Sequence, residues 1–329
     1  MDAAENLVVG VSGGADSVAL LKVLSIMHHG KLKAVIVDHG VQEGSDEVAD
    51  NAAQIAAELI GDPDAVVVKR ALIDAHRNLE ANAREARFRL LFEEVGDDDI
   101  LLLAHTLNDQ AESVLLGLGR GSGLSAICGI REDCYMRDEY GAQKRIVRPF
   151  LRSIERKDTE EICVSSRIEY WNDPTNGAHD VKCDATFPRR SQIRSELLPV
   201  YDKFFPGIVK NLARSATIAR DENDFLDTCA SEHYIYCVDE LGTLDTAKPT
   251  LFRSKVATEH PALQRRIIRI WLERCGVKNS RALEYAKIEE IRTRLVNVTG
   301  VGGTTIQLDN HCSAVRTGDT ITLSARHAG

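Results

Sequence analysis

The sequence has no long apolar run, no closely paired cysteines and no excess of basic charge. No apolar stretch approaches the ~18 residues of a membrane-spanning helix, so we expect no membrane segment. Its eight cysteines are dispersed and none are spaced C-x-x-C, which gives no support to a zinc ribbon, a thioredoxin-type motif or a simple iron–sulfur box. The acidic start lacks the basic and apolar regions of a secretory signal, so we expect a cytoplasmic protein.

The net charge of -9 at first argues against a nucleic-acid partner, because phosphate binding depends on Lys and Arg. The charge is unevenly distributed, however. Residues 1–130 contain 10 Lys and Arg against 21 Asp and Glu, whereas residues 131–329 contain 31 against 29. Three segments of the second part are clearly basic, with net charges of +5, +5 and +6 for residues 143–157, 182–220 and 253–281. We predict that these segments form one surface that follows a phosphate backbone.

Short apolar runs alternate with helical patterns in the first part of the chain. Because the runs are continuously apolar, the strands should be buried on both faces, as in a parallel sheet with crossover helices. This pattern predicts an α/β fold with a doubly wound parallel sheet. The predicted strands are residues 7–11, 32–37, 65–68 and 100–104, and the predicted helices are residues 18–27, 45–59, 82–95 and 108–118.

The strand–helix alternation ends near residue 206, where we place a domain boundary. The first domain comprises residues 1–205 and contains the predicted parallel sheet. The second, residues 206–329, should be a smaller and mostly helical domain with a short antiparallel sheet. Its predicted helices are residues 206–229, 259–275 and 280–296, and its predicted strands are residues 304–308 and 320–323.

The hexapeptide Ser12-Gly13-Gly14-Ala15-Asp16-Ser17 follows the first predicted strand. Its glycines allow the backbone to approach a ligand closely, and N–H groups at a helix start suit phosphate oxygens. A tight turn with a capped helix is the simpler interpretation of Gly-Gly alone. The sequence is neither a Walker A loop nor a G-x-G-x-x-G fingerprint. It resembles the loop of the PP-loop (N-type) ATP pyrophosphatases, which implies cleavage of ATP between the α and β phosphates and transfer of AMP.

Further motifs follow the hexapeptide. They are Val37-Asp38-His39-Gly40, residues 78–88, residues 104–116 with Arg120-Gly121-Ser122-Gly123-Leu124, Arg148-Pro149-Phe150-Leu151, residues 171–176, and Arg190-Ser191-Gln192-Ile193-Arg194. In this order they resemble the motifs of the tRNA(Ile)-lysidine synthase family, over roughly residues 7–215. The resemblance implies that ATP, with Mg²⁺, adenylates the C2 oxygen of the wobble cytidine of an isoleucine tRNA with a CAU anticodon. L-lysine then attacks C2 through its ε-amine, and AMP leaves. The resemblance also implies that residues 1–205 bind ATP and catalyse this reaction and that residues 206–329 recognise the tRNA.

The resemblance also assigns site residues. The hexapeptide should hold ATP, and Asp16 and Asp109 are candidate bases or magnesium ligands, between which the sequence does not choose. A base is needed because an amine with a pKa of about 10.4 is protonated at neutral pH. His105 should donate to the cytidine or to the AMP leaving group. The predicted substrate-binding residues are Arg84, Arg87, Asp38, Arg190 and Arg194.

Some positions depart from the family pattern. The family usually has two histidines at His105-Thr106, two acids at Asn108-Asp109, and Arg-Asn-Arg at Arg190-Ser191-Gln192. The last change puts the details of tRNA docking there in doubt. Alternative functions are a tRNA 2-thiolation enzyme, an amidotransferase-type synthetase and a nucleotide-binding sensor without turnover. The absent C-x-x-C counts against the thiolation enzyme. A homodimer is left open as the assembly.

Overall fold

The structure is a computed structural model in which the chain divides, by its internal contacts, into two units. The first unit is Met1–Gly119 with Gly129–Ala216, and the second is Arg120–Cys128 with Thr217–Gly329. The domain limits 1–205 and 206–329 stay a prediction, separate from this division by contacts. The structure describes residues 6–38, 40, 44–71, 79–121, 123–172, 189–239, 249–277, 283–298, 303–309 and 312–325.

The first unit is built on a mainly parallel sheet, as predicted. Among the described residues, six strands pair in the order β3-β2-β1-β4-β6-β5, and only β5 runs antiparallel to its neighbour. The sequence did not predict β5, at the edge of the sheet, or β6 beside it, because in both strands more exposed residues alternate with covered ones instead of forming an apolar run. The strands are β1 (Leu7–Val11), β2 (Leu32–Asp38), β3 (Val66–Arg70), β4 (Ile100–Leu102), β5 (Asp133–Arg137) and β6 (Gln143–Val147).

Helices cover both faces of this sheet. Val9 of β1 packs in one core cluster with residues of the first, second and sixth helices, whereas Val8 packs in another with Phe88 and Leu91 of the third helix. The alternation along β1 therefore accounts for the doubly wound layers. The helices are α1 (Ala15–Met27), α2 (Ser45–Ile60), α3 (Leu79–Glu93), α4 (Leu107–Arg120), α5 (Leu124–Ile127, in the second unit), α6 (Arg156–Ser165), α7 (Arg189–Gln192) and α8 (Leu198–Phe204), with a π-helical turn at Ile193–Leu197.

The strand order reverses direction at β1. From β1 the chain leads to β2 on one side, whereas β4 pairs with β1 on the other side and then with β6. The loops that follow β1 and β4 therefore leave the sheet side by side at its carboxyl edge. Open α/β sheets bind ligands in the crevice at such a point.

The second unit combines helices with a separate antiparallel sheet in the order β7-β8-β11-β10-β9. Trp271 lies fully buried in its core and donates from Nε1 to the Pro249 carbonyl at 2.8 Å. The elements are α9 (Ile208–Cys237), whose residues from 217 on belong to this unit, β7 (Val238–Asp239), β8 (Thr250–Phe252), α10 (Arg253–Ala257), α11 (Pro261–Arg274), α12 (Tyr285–Ile291), a π-helical turn at Arg292–Val296, β9 (Thr304–Gln307), β10 (Cys312–Thr317) and β11 (Thr320–Ala325).

The predicted helices of this unit are present with different limits. The helix predicted at 206–229 continues to Cys237, and β10 was missed because polar residues interrupt its apolar pattern. Within the residues that the structure describes, no helix combines the length and the apolar character needed to cross a membrane.

Candidate active site

The hexapeptide forms a tight turn between β1 and α1. The Ser12 backbone N–H donates to Ser17 Oγ at 3.1 Å, and the Ser17 hydroxyl donates to the Gly14 carbonyl at 3.0 Å. Gly13 has a φ of +81°, and a Cβ added there would lie 3.2 Å from the Cβ of Ala52. The positive φ favours glycine at this position, and the close approach of Ala52 leaves little room for a side chain. No side chain caps α1 within the described part of the chain, so its N-terminus suits a phosphate group.

One arginine lies among three carboxylates beside this turn. Arg156, the first residue of α6, places Nε 3.4 Å from Asp16 Oδ2, Nη2 3.4 Å from Asp109 Oδ1 and Nη1 3.6 Å from Glu112 Oε1. Thr159, one turn further along α6, donates to Asp16 Oδ1 at 2.5 Å. We refer to Asp16, Asp109 and Glu112 as the acid cluster.

The two aspartates of the acid cluster are in different electrostatic environments. Burial raises the pKa of Asp16, and the opposing charge of Arg156 does not reverse this. Burial alone would also raise the pKa of Asp109. The charge of Arg156, the imidazole of His105 and two hydrogen bonds from Thr106 outweigh burial and lower this pKa. Those bonds, from the Thr106 N–H and hydroxyl to Asp109 Oδ2, measure 2.8 and 3.0 Å. Asp109 therefore stays ionised, and Asp16 takes up a proton more easily.

A second arginine neutralises the deepest carboxylate of the cluster. Glu112 is fully buried, and Arg194 donates to it from Nε at 2.8 Å and from Nη2 at 3.3 Å. Counting only direct contacts, three carboxylates face two guanidinium groups, which leaves one negative charge in excess when all are ionised; Asp109 also lies within electrostatic range of Arg87. Such a group attracts one further cation.

Three arginines lie within electrostatic range of Arg87, and we call Arg84, Arg87, Arg148 and Arg190 the arginine cluster. Burial lowers the pKa of Arg87 to about 10, and the charges of the other three arginines add to this effect. The guanidinium carbons of Arg84 and Arg87 lie 5.2 and 5.8 Å from the ring centroid of Phe88. Across the described residues, Nε of Arg87 and Nε of Arg148 are buried without a hydrogen-bond partner. The cluster is therefore suited to an anion.

His105 lies between the two clusters. Burial lowers its pKa to about 3, with the charge of Asp109 opposing and the arginines adding to the effect. The imidazole is therefore neutral at pH 7, and it can act through a hydrogen bond but not as an imidazolium. Its Nδ1 is buried and has no partner in the part of the chain that the structure describes.

Two of the predicted substrate residues, Asp38 and Arg190, contact side chains or backbone outside the acid cluster. Asp38 ends β2, where it accepts from the Gly40 N–H at 2.9 Å and lies 3.3 Å from Nε of Arg70. Arg190 places Nη2 3.4 Å from Ser113 Oγ. The structure therefore brings Asp16, Asp109, His105, Arg84, Arg87, Arg190 and Arg194 into one neighbourhood and places Asp38 at the end of another strand. His39 and residues 173–176 of the predicted motifs lie outside the described residues.

Sequence reasoning missed Arg156, Glu112 and Thr159. Glu112 follows Asp109 by three residues on α4, so the helical repeat places the two on one face, and this spacing was a usable signal. Arg156 was counted instead in the basic surface of residues 143–157. The structure directs the charge of Arg156 at the acid cluster, and the part of this segment in a phosphate-following surface stays a prediction.

The donor set also bears on a metal ion. The described residues contain no group of three His, Cys, Asp or Glu side chains placed to hold one. Magnesium, however, is commonly bound through one or two carboxylates together with substrate phosphates. Asp16 and Asp109, beside the turn between β1 and α1, fit that kind of site.

Comparisons with known proteins agree with this geometry. The PP-loop domain family matches residues 2–201, and the TilS substrate binding domain family matches residues 252–322. The tRNA(Ile)-lysidine synthase of Bifidobacterium longum subsp. infantis is 33% identical over 331 residues, covering 91% of this chain and 82% of its own length. The enzyme of the same name from Mycobacterium tuberculosis is 37% identical over 273 residues, covering 83% and 76%.

A third relative of that name, from Streptomyces coelicolor, is 35% identical over 305 residues, covering 90% of this chain and 79% of its own. One solved structure, the U34-tRNA thiolase NcsA from Methanococcus maripaludis with its 4Fe-4S cluster, matches at 16% identity and a TM-score of 0.48, over 66% of this chain and 73% of that one. This last similarity is too low to carry any conclusion.

Proposed function

The chain belongs to the tRNA(Ile)-lysidine synthase family, and from this premise we propose that it joins L-lysine to the wobble cytidine of an isoleucine tRNA with a CAU anticodon. ATP is the co-substrate, and AMP and pyrophosphate are the products. The observation that carries the proposal is the acid cluster beside the β1–α1 turn, with the arginine cluster within electrostatic range of Asp109 and His105. The reaction needs a site for a cationic amine and sites for anionic phosphates, and this region offers both.

The turn and the arginine cluster serve the first step. Gly13 and the start of α1 hold the phosphates of ATP, and Mg²⁺ bound at Asp16 and Asp109 would offset the charge of the pyrophosphate. The C2 oxygen of the cytidine attacks the α phosphate, the bond to pyrophosphate breaks, and an adenylated cytidine results. The arginine cluster then faces a phosphate, and neutral His105 donates a hydrogen bond to the cytidine or to the AMP leaving group.

The acid cluster serves the second step. The ε-ammonium of lysine binds where one negative charge is uncompensated, and it must lose a proton before it can attack C2. Asp16 is the better acceptor because its pKa is raised, whereas Asp109 stays ionised and anchors the cation. The amine then attacks C2 of the cytidine, and the bond to AMP breaks. This division of roles between the two aspartates is part of the proposal.

The thiolation alternative is disfavoured. The sequence has no C-x-x-C, and the described cysteines do not join any group able to hold a metal or cluster. A nucleotide sensor without turnover would not need an acid cluster with one charge in excess. The second unit, which contains the matched substrate-binding domain, is our candidate for discriminating the isoleucine tRNA from the methionine tRNA that shares its anticodon.

The test is incorporation of radiolabelled lysine into tRNA in the presence of ATP and Mg²⁺. We expect label in the isoleucine transcript with a CAU anticodon and none when its first anticodon base is changed to U. Omission of ATP should abolish incorporation. Release of pyrophosphate on another tRNA without lysine incorporation would contradict the proposal and favour a different modification.

A further inference from the structure

We propose that the guanidinium of Arg156 occupies the binding position of the substrate ammonium in the ligand-free enzyme and is displaced when lysine binds. This inference rests on the proposed function, because it concerns the amine that the acid cluster receives. It assigns Arg156 a positioning role that extends beyond neutralising the acids.

The distances show that Arg156 is held loosely. Its three contacts with the acid cluster measure 3.4, 3.4 and 3.6 Å, each from a different nitrogen to a different carboxylate. Charge-assisted hydrogen bonds between such groups are usually about 2.7–2.9 Å. Arg194 forms a bond of that kind with Glu112, at 2.8 Å. The two arginines of the site therefore differ: Arg194 is paired in a definite geometry, and Arg156 is shared among three partners.

The backbone around Arg156 is fixed independently of its side chain. Its N–H donates to Asn108 Oδ1 at 2.9 Å, and Glu155 and Asp158 form a capping box at the start of α6. The side chain is 21% exposed, so it has a route out of the cluster. The guanidinium can therefore leave by rotation about its own torsions while α6 stays in place.

The geometry favours exchange over simultaneous binding, because Arg156 directs one nitrogen at each of the three carboxylates and so occupies the position from which a single ammonium would contact them. With Arg156 present, the three carboxylates face two cations, and replacing its guanidinium with an ammonium leaves that balance unchanged. An empty cluster would hold buried carboxylates with one arginine only, which is costly. Arg156 thus keeps the acids compensated until the amine arrives.

The experiment measures L-lysine binding to the full chain by calorimetry, without ATP or tRNA. In Arg156→Gln the competing cation is absent, so we expect the Kd for lysine to fall at least about threefold, because the binding-competent state is no longer a minor fraction. The KM for lysine should fall with it, while the KM for ATP stays unchanged. The control, Arg152→Gln, removes a side chain that is 80% exposed and paired with Glu132, and should bind lysine like the wild type. Unchanged or weaker lysine binding in Arg156→Gln would overturn the proposal.

A second measurement uses the unaltered protein, in case the variant does not fold. Butane-2,3-dione modifies accessible guanidinium groups, and mass spectrometry gives the extent of modification at Arg156 relative to Arg152. Saturating lysine should increase modification at Arg156, whereas protection or no change would contradict displacement. Wild-type incorporation of labelled lysine tests the proposed function separately, so a protein that incorporates lysine but protects Arg156 would refute only this inference.

Discussion

The arginine cluster of the first unit and three arginines of the second unit differ in what surrounds their charge. In the second unit, Arg265 and Arg292 both contact Glu289, with Nε distances of 2.8 and 2.9 Å, and Arg266 lies 2.8 Å from Asp227. In the arginine cluster of the first unit, burial lowers the pKa of Arg87, and the positive charges of the other three arginines lower it further. Arginines in ion pairs with carboxylates contribute to the stability of the fold. Arginines that lie close to other arginines repel one another, and their charge is available to bind an anionic ligand. The count of charges along the sequence does not separate these two cases.

This difference changes the interpretation of the basic segments. Residues 253–281 have a net charge of +6, but Arg265 and Arg266 direct their charge at acids elsewhere in the unit. Arg269 is exposed and forms no hydrogen bond or ion pair within the described ranges. The predicted phosphate-following surface therefore remains a proposal, with Arg269 as its clearest candidate on α11.

The largest effect is expected when the charge of Asp109 is removed. This carboxylate belongs to the acid cluster and also acts on Arg87 of the arginine cluster. Asp109→Asn should reduce lysine incorporation by at least about 100-fold, because the ammonium loses its ionised anchor. ATP binding, measured by equilibrium dialysis, should persist. The matched control is Asp46→Asn, an exposed acid in the first turn of α2 that should retain activity. Full activity of Asp109→Asn would remove this residue from the mechanism.

The contrast between paired and repelling arginines can be tested directly with two substitutions of similar size. Arg87→Met should lower incorporation by about 10- to 100-fold without reducing thermal stability, because it removes a buried cation that its neighbours repel. Arg292→Met should leave the chemistry intact and lower the free energy of unfolding by about 1 kcal/mol. Thermal melts and incorporation assays on both variants check this. Equal destabilisation by the two changes would break the comparison.

A smaller effect is expected in tRNA binding. Arg269→Gln should reduce the slope of log K against log salt by about 0.7–0.9, the contribution of one phosphate contact. Arg266→Gln should leave the slope unchanged, since Arg266 is occupied by Asp227. Filter-binding titrations of both variants against the wild type measure these slopes. A wild-type affinity that is independent of salt would contradict the proposed surface altogether.

The smallest effect concerns acid stability. Hydrogen bonds from Arg292, with those from Arg265, lower the pKa of Glu289 to about 2 from an ordinary value of 4.5. A carboxylate with a lowered pKa stabilises the fold above its unfolded value and loses that contribution as the pH falls toward 2. Wild type and Glu289→Gln should therefore differ in melting temperature at pH 7 and converge between about pH 4.5 and pH 2. A difference that persists at pH 2 would show that the ion pairs are not its source.

The sequence predicted those features that depend on local pattern. Continuous apolar runs identified β1, β2 and β4, and the glycines of the hexapeptide identified the turn whose Gly13 adopts a positive φ. The turn after β1 and the loop after β4 both follow parallel strands. Their meeting at the carboxyl edge of the sheet was therefore also predictable.

The remaining features depend on contacts between distant parts of the chain. Arg156 is 140 residues from Asp16 and 47 from Asp109, and its own segment contains no pattern that distinguishes it from neighbouring exposed basic residues. The antiparallel pair β5 and β6 was missed for a similar reason, since the alternating exposure of both strands produces no apolar run in the sequence. Pairing and burial decide the role of each charge, and neither can be determined from the segment alone.

The most direct test of the account is to identify the product nucleoside. The isoleucine transcript with a CAU anticodon is incubated with the protein, ATP, Mg²⁺ and L-lysine, digested to nucleosides and analysed by mass spectrometry. We expect the wobble cytidine to be replaced by lysidine, in amounts matching the AMP released. A cytidine that remains unmodified while ATP is cleaved, or a product carrying sulfur instead of lysine, would contradict it.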